Sequence, residues 1–134
     1  MKSLSIKNVG MAVTLDVGDF KNIHPPHKKE VGERLALWAL AKDYGKKNLV
    51  YSGPIYQSMK IEAAKIRVSF DHLGSGLVAK DGSLTNFMIA GADKKFVPAK
   101  AAINNGSVVV SSDKVAKPVA VRYAFDNAGV PSLY

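Results

Sequence analysis

GMAVTLDVGDFKNIHPPHKKEVGERLALWALAKDYG, residues 10 to 45, is the stretch whose reading decides the fold. Met11, Val13, Leu15 and Val17 recur at every second position and predict a strand. A loop holding His24 follows, and then a periodic segment in which Val31, Leu35, Trp38 and Ala39 fall on one helical face, widened by Ala36 and Leu40. Pro25 and Pro26 suit a first helical turn, where a missing N–H costs nothing, and Gly45 suits the left-handed residue that closes a helix. This order puts His24 just outside a helix N-terminus and beyond the C-terminal end of a strand, where open α/β sheets gather their chemistry.

Working outward, residues 1–9 read as a short lead-in to that strand. One strand and one helix cannot cover both faces of a parallel sheet, so this part reads as the remnant of a larger α/β domain. Beyond Gly45 the period changes from helical to alternating, and Gly53-Pro54 marks a boundary between residues 1–52 and a second region, 53–134. Met59 and Ile61, then Ile66, Val68 and Phe70, alternate with polar neighbours and predict two half-buried strands of a hairpin turning at Ala63-Ala64. Leu77–Ala79, Phe87–Ala90, Phe96–Ile103, Ser107–Ser111 and Val119–Phe125 add short strands. Asn104-Asn105-Gly106 is the strongest hairpin signal in the chain. Residues 126–134 read as a loop or frayed end. The expected class is α+β: a strand-loop-helix remnant followed by an antiparallel β-sandwich.

Composition bounds the function. With 47% hydrophobic and 22% charged residues in 134, the chain has the balance of a globular protein with one modest core or two small ones. Its net charge of +8 is spread over lysines standing singly or in pairs, without a basic stripe interleaved with aromatics, so nucleic acid is not an expected partner. No apolar run reaches the length of a membrane span, and MKSLSIKNVG lacks the apolar core of a signal peptide. Without cysteine there is neither thiolate catalysis nor a disulfide.

Among the polar residues, His24 suits the general base of a serine hydrolase, or a surface loop. Asp19 and Asp16 are the carboxylates near it, and Asp19 equally suits a turn. His27 and Glu30 follow His24 at intervals of three, but Pro25-Pro26 intervene and no further ligand cluster accompanies them, so no metal or other cofactor is expected. Asp71-His72 suits an ordering hydrogen bond in a loop. Ser75, between two glycines, lacks the strand-to-helix elbow of a nucleophile.

Several blocks of this chain, in order, resemble the sialate O-acetylesterases of the SGNH-hydrolase superfamily: GMAVTLDVGD, IHP, EVGERLALWALAKDYG, VYSGP, MKIE, KIRVSFDHLGSGL, FVPAKA and VAVRYAF. The resemblance implies a serine-type hydrolase that removes O-acetyl groups from sialic acid or a related sugar. It is a resemblance to the C-terminal part of such an enzyme, with His24 in the position of the catalytic histidine and the serine in an upstream part that this chain does not include. That missing catalytic part and an O-acetylated sugar are the implied partners. In the superfamily an acid commonly stands two or three positions before the histidine, where this chain has Asn22 and Lys21. Asn22 would orient the ring through its amide oxygen, or Asp19 would lend a carboxylate. Enzymes of this family are often exported. The alternative from another class is a non-catalytic β-sandwich, either an accessory domain or a carbohydrate-binding module; a glycan platform needs exposed Trp or Tyr, and the only Trp is on the helix.

Overall fold

The computed structural model describes residues 2–134; Met1, the start of the expected lead-in, lies outside the described residues. The chain divides into two compact units, Met1–Gly53 and Pro54–Tyr134.

The first unit holds a 3-10 turn at Lys2–Ser5 and one long helix, α1, Lys28–Lys42. The helix starts later than the prolines suggest. Lys28 N–H donates to Pro26 O at 2.8 Å, so Pro25 and Pro26 form the approach to the helix, and His27 is its N-cap. Its other end behaves as expected: Gly45 takes φ +67°, and Lys46 N–H turns back to Leu40 O at 3.0 Å. Glu30 in the first turn and Lys42 in the last complement the helix dipole.

The strand expected at Met11–Val17 is absent. Residues 11–14 join no sheet, and Val17 N–H closes a turn onto Thr14 O at 3.2 Å. A strand exists only through a neighbour's N–H and C=O groups, and the first unit has no described strand to provide them. The segment is held to the helix instead. Trp38 Nε1 donates to Met11 O at 2.9 Å, and Trp38 lies so close to Gly10 that a Cβ there would meet its ring at 2.8 Å. Tyr51 meets the Trp38 ring edge-on, with centroids 4.8 Å apart. The helix face is turned from its sequence pattern: Val31, Trp38 and Ala39 are half-buried and so are Leu37 and Ala41, while Leu35, Ala36 and Leu40 are exposed.

The second unit is the antiparallel sandwich. Its strands are β1 Ile55–Glu62, β2 Lys65–Asp71, β3 Phe87–Ala90, β4 Val97–Pro98, β5 Lys100–Asn104, β6 Ser107–Ser111 and β7 Ala120–Tyr123. They form two sheets, ordered β1-β2-β6-β5 and β4-β3-β7. Inward positions of both sheets make one core, Ile66, Val68, Val108 and Val110 from the first and Phe87 and Ile89 from the second. The α+β, mostly β, architecture read from the sequence is the one observed.

Several details depart from the sequence pattern. The expected strand Phe96–Ile103 is two, because the chain crosses from one sheet to the other at Ala99; Val97 pairs with Ile89, and Ala101 with Val110. β1 is not half-buried. Met59 and Ile61 stand on the inner face, opposite Val68 and Ile66, yet are 43% and 50% exposed, because β1 is the edge of a four-stranded sheet facing a three-stranded one. The two-residue turn between Glu62 and Lys65 puts Ala63 at φ +53°, a conformation that costs an L-residue about 1–2 kcal/mol. Asn105 and Gly106, at φ +48° and +71°, make the primed turn their dipeptide favours.

The C-terminus is an integral part of the fold, not a frayed end. Val78 and Tyr134 exchange backbone hydrogen bonds at 2.6 and 2.9 Å, and the Tyr123 hydroxyl oxygen accepts from Ser132 and Leu133 N–H at 2.7 Å each. Leu77–Ala79 is therefore not a full strand but one side of a bridge, Ala79 to Leu133. No described helix is long and apolar enough to cross a membrane.

Candidate functional site

The loop between Val17 and α1 carries His24. Two short polar side chains bend it: Asp19 Oδ1 accepts from Lys21 N–H at 2.8 Å, and Asn22 Oδ1 accepts from His24 N–H at 2.9 Å. Each is an Asx turn, in which a side-chain oxygen replaces a backbone carbonyl two residues away. The amide oxygen proposed to orient the His24 ring is thus bound to the His24 backbone, and Asp19 uses one of its two oxygens on the loop itself. The His24 ring is exposed, and among the described residues it makes no hydrogen bond to either.

Asp16, the other carboxylate near the loop, is committed elsewhere. Arg34, on α1, donates from Nη1 to Asp16 Oδ1 at 2.6 Å and from Nη2 to Oδ2 at 2.7 Å, and Nη1 also reaches Val13 O. This fork ties the end of the 11–17 segment to the helix, so the His24 loop is anchored at both ends, by Asp16 before it and by α1 after it. The pairing has no signature at fixed spacing; the residues are eighteen apart and only folding brings them together.

His27 and Glu30, singled out by spacing, do meet, with Nδ1 3.2 Å from Oε1. A hydrogen bond from its own backbone N–H, reinforced by His27, holds the Glu30 carboxyl below its usual range. That pair occupies the first turn of α1. Among the described residues there is no group of three or more His, Cys, Asp or Glu side chains placed to hold a metal ion. His72 takes φ +59° at the end of β2, directly before the turn in which Gly76 N–H bonds Leu73 O at 2.8 Å.

Chemically, the loop presents an imidazole to solvent on a tethered turn, with an amide and a carboxylate within five residues. Such a group can take and return a proton, but the described geometry places no nucleophile against it.

Comparison with known proteins finds relatives over most of the chain. A carbohydrate acetylesterase from Xanthomonas citri superposes with a TM-score of 0.82 at 42% identity, over 88% of this chain and 27% of that one. A sialate O-acetylesterase of Pongo abelii is 31% identical over 126 residues, 88% of this chain and 24% of its own length. Over most of its length the chain resembles a portion of the sialate O-acetylesterases. The human sialate O-acetylesterase is 42% identical over a shorter stretch of 62 residues. No family model matches the chain. It spans about a quarter of the length of the Pongo abelii and Xanthomonas citri proteins, in keeping with a C-terminal portion of such an enzyme.

Proposed function

We propose that this chain is the histidine-bearing C-terminal part of a carbohydrate O-acetylesterase acting on sialic acid or a related sugar, with the serine nucleophile supplied by polypeptide outside these residues. On this reading Met1–Gly53 completes an SGNH-type α/β hydrolase domain, and Pro54–Tyr134 is its accessory sandwich. The serine Oγ attacks the acetyl carbonyl while His24 takes the hydroxyl proton. As the tetrahedral adduct collapses, His24 returns that proton to the departing sugar oxygen, leaving an acetyl-serine. Water then attacks the acetyl carbon, again giving its proton to His24, and acetate leaves with the serine reprotonated. Asn22 and Asp19 position the loop, and through it the ring.

The observation that carries this reading is the match itself, which takes in 88% of the chain at both the sequence and the structural level. The surface of the first unit supports it. Val13, Leu15, Phe20, Ile23 and Leu35 are each at least half exposed, and Ile23, next to His24, is 90% exposed. So much apolar surface around one loop suits a unit that packs against further polypeptide.

The test is esterase activity of the 134-residue chain by itself toward a chromogenic acetyl ester. The expected result is no saturable turnover, because no described serine stands on a strand-to-helix elbow. Saturable turnover blocked by a serine-directed inhibitor would overturn the division of the active site proposed here.

A further inference from the structure

The chain has three arginines, and two of them pair with carboxylates: Arg34 forks onto Asp16, at 2.6 and 2.7 Å, and Arg67 donates from Nε to Glu62 at 3.0 Å. The third, Arg122, has no carboxylate partner among the described residues. It stands in β7 opposite Met88, with its guanidinium carbon 3.9 Å from the centroid of Phe96 and 4.5 Å from that of Phe125. Arg122 is exposed, and Phe125 is 71% exposed. The nearby carboxylate, Asp126, lies in a bend and accepts from Ala128 N–H at 2.9 Å.

A guanidinium is flat and weakly hydrated above and below its plane, so it stacks on ring faces while its N–H donors remain around the edge. Two phenylalanines therefore hold the fork without using its hydrogen bonds. Holding a long side chain in advance removes part of the ordering cost that a ligand would otherwise meet. The fork matches a carboxylate, and the exposed phenylalanine offers an apolar surface to the C–H face of a pyranose.

A second feature of the same unit favours an anion. Lys95, next to Phe96 in the chain, lines a cleft of about 430 Å³ together with Lys114 and Lys117, over Val97 and Val115. Against these three lysines the cleft is lined by one carboxylate, Asp93, which also accepts from Lys95 N–H at 3.2 Å. The net positive field raises the local concentration of anionic ligands.

We propose that Arg122, with Phe96 and Phe125, forms a binding subsite for the carboxylate of an acidic sugar. The subsite lies wholly within Pro54–Tyr134, and its test reads binding alone. Its failure would leave the acetylesterase reading standing, and failure of that reading would leave the subsite standing.

The experiment is an NMR titration of the isotopically labelled 134-residue chain with N-acetylneuraminate and with glucuronate, following the Arg122 side-chain N–H resonance. Glucose, acetate and sulfate are the comparison probes. Both sugar acids should shift the resonance saturably. Glucose should leave it in place, and acetate and sulfate should bind roughly tenfold or more weakly than the sugar acids, lacking the ring. Arg122→Lys keeps the charge but loses the fork, and should lower sugar-acid affinity by roughly tenfold or more. Phe125→Ala should weaken it several-fold, and provides a second variant if Arg122→Lys fails to fold. An unmoved Arg122 resonance, glucose binding as tightly as glucuronate, or full affinity in Arg122→Lys would each overturn the proposal. Acetate or sulfate binding as tightly as the sugar acids would reduce the site to a simple anion contact and overturn it as a sugar subsite.

Discussion

Arg34→Lys tests how the His24 loop is anchored. The arginine makes two hydrogen bonds to the Asp16 carboxylate, at 2.6 and 2.7 Å, and a third to Val13 O. A lysine keeps the charge but can hold only one of these acceptors in good geometry. Each charge-assisted bond is worth about 1.5–3 kcal/mol, so two lost bonds set a ceiling of roughly 3–6 kcal/mol. The side chains of Arg34 and Asp16 are 33% and 16% exposed, so water replaces part of what is lost. The expected cost is roughly 1.5–3 kcal/mol after that screening. It should appear as local opening, because Trp38 still holds Met11 O and the sandwich is a separate unit. Native-state hydrogen exchange reads it directly. The Val17 amide, bonded to Thr14 O, should exchange roughly 10- to 100-fold faster, while Val68 in the buried sheet keeps its protection and serves as the internal control. An unchanged rate at Val17 would refute the tether, and equal acceleration at Val68 would show that the two units do not open separately.

Two further outcomes follow from the sandwich. Tyr123→Phe leaves the N–H groups of Ser132 and Leu133 without their acceptor, at about 1–3 kcal/mol each where buried, so chemical denaturation should show a loss of roughly 2–4 kcal/mol; a loss below about 0.5 kcal/mol would mean water takes over both bonds. The Glu62 carboxyl is held below its usual range chiefly by the hydrogen bond from Arg67, and a depressed carboxyl adds stability above its unfolded pKa that is lost as pH falls through the folded one. Thermal melts should therefore fall more steeply on acidification below about pH 4.3 in the unsubstituted protein than in Glu62→Gln; parallel curves would contradict this.

The sandwich was legible because its signals are local. Alternation in Ile66–Phe70 and the Asn105-Gly106 pair each report a preference that the pairing partner also satisfies. The helix was legible for the same reason, although its half-buried face takes in Leu37 and Ala41 in place of Leu35 and Leu40. Met11–Val17 carries an equally good alternation, yet a strand's hydrogen bonds belong to its neighbour, and sequence shows the appetite without the neighbour. The C-terminal tail misled in the other direction: nothing in Val130–Tyr134 marks it as anchored, because the anchor is a hydroxyl on Tyr123. At the candidate site, the sequence placed His24 in a loop before α1, as found. It left open whether Asp19 serves the ring or the loop and read Asn22 as orienting the ring; in the described geometry both bend the backbone, the competing role that short polar side chains take in turns. The Arg34 to Asp16 fork and the Arg122 stack depend on tertiary approach and had no pattern to read.

The central claim, that His24 is the general base of a carbohydrate O-acetylesterase, is tested most directly by transplanting this chain into the corresponding portion of the Xanthomonas citri acetylesterase, its 42% identical relative. The measurement is kcat/KM for acetyl-ester hydrolysis by the chimaera and by its His24→Ala, Asn22→Ala and Asp19→Ala forms. Loss of the general base should lower the rate by roughly 10²–10⁴-fold or more, with Asn22→Ala and Asp19→Ala costing far less because each acts on the loop. A chimaera whose His24→Ala form hydrolyses the ester as fast as its parent would remove this histidine from the mechanism and contradict the account.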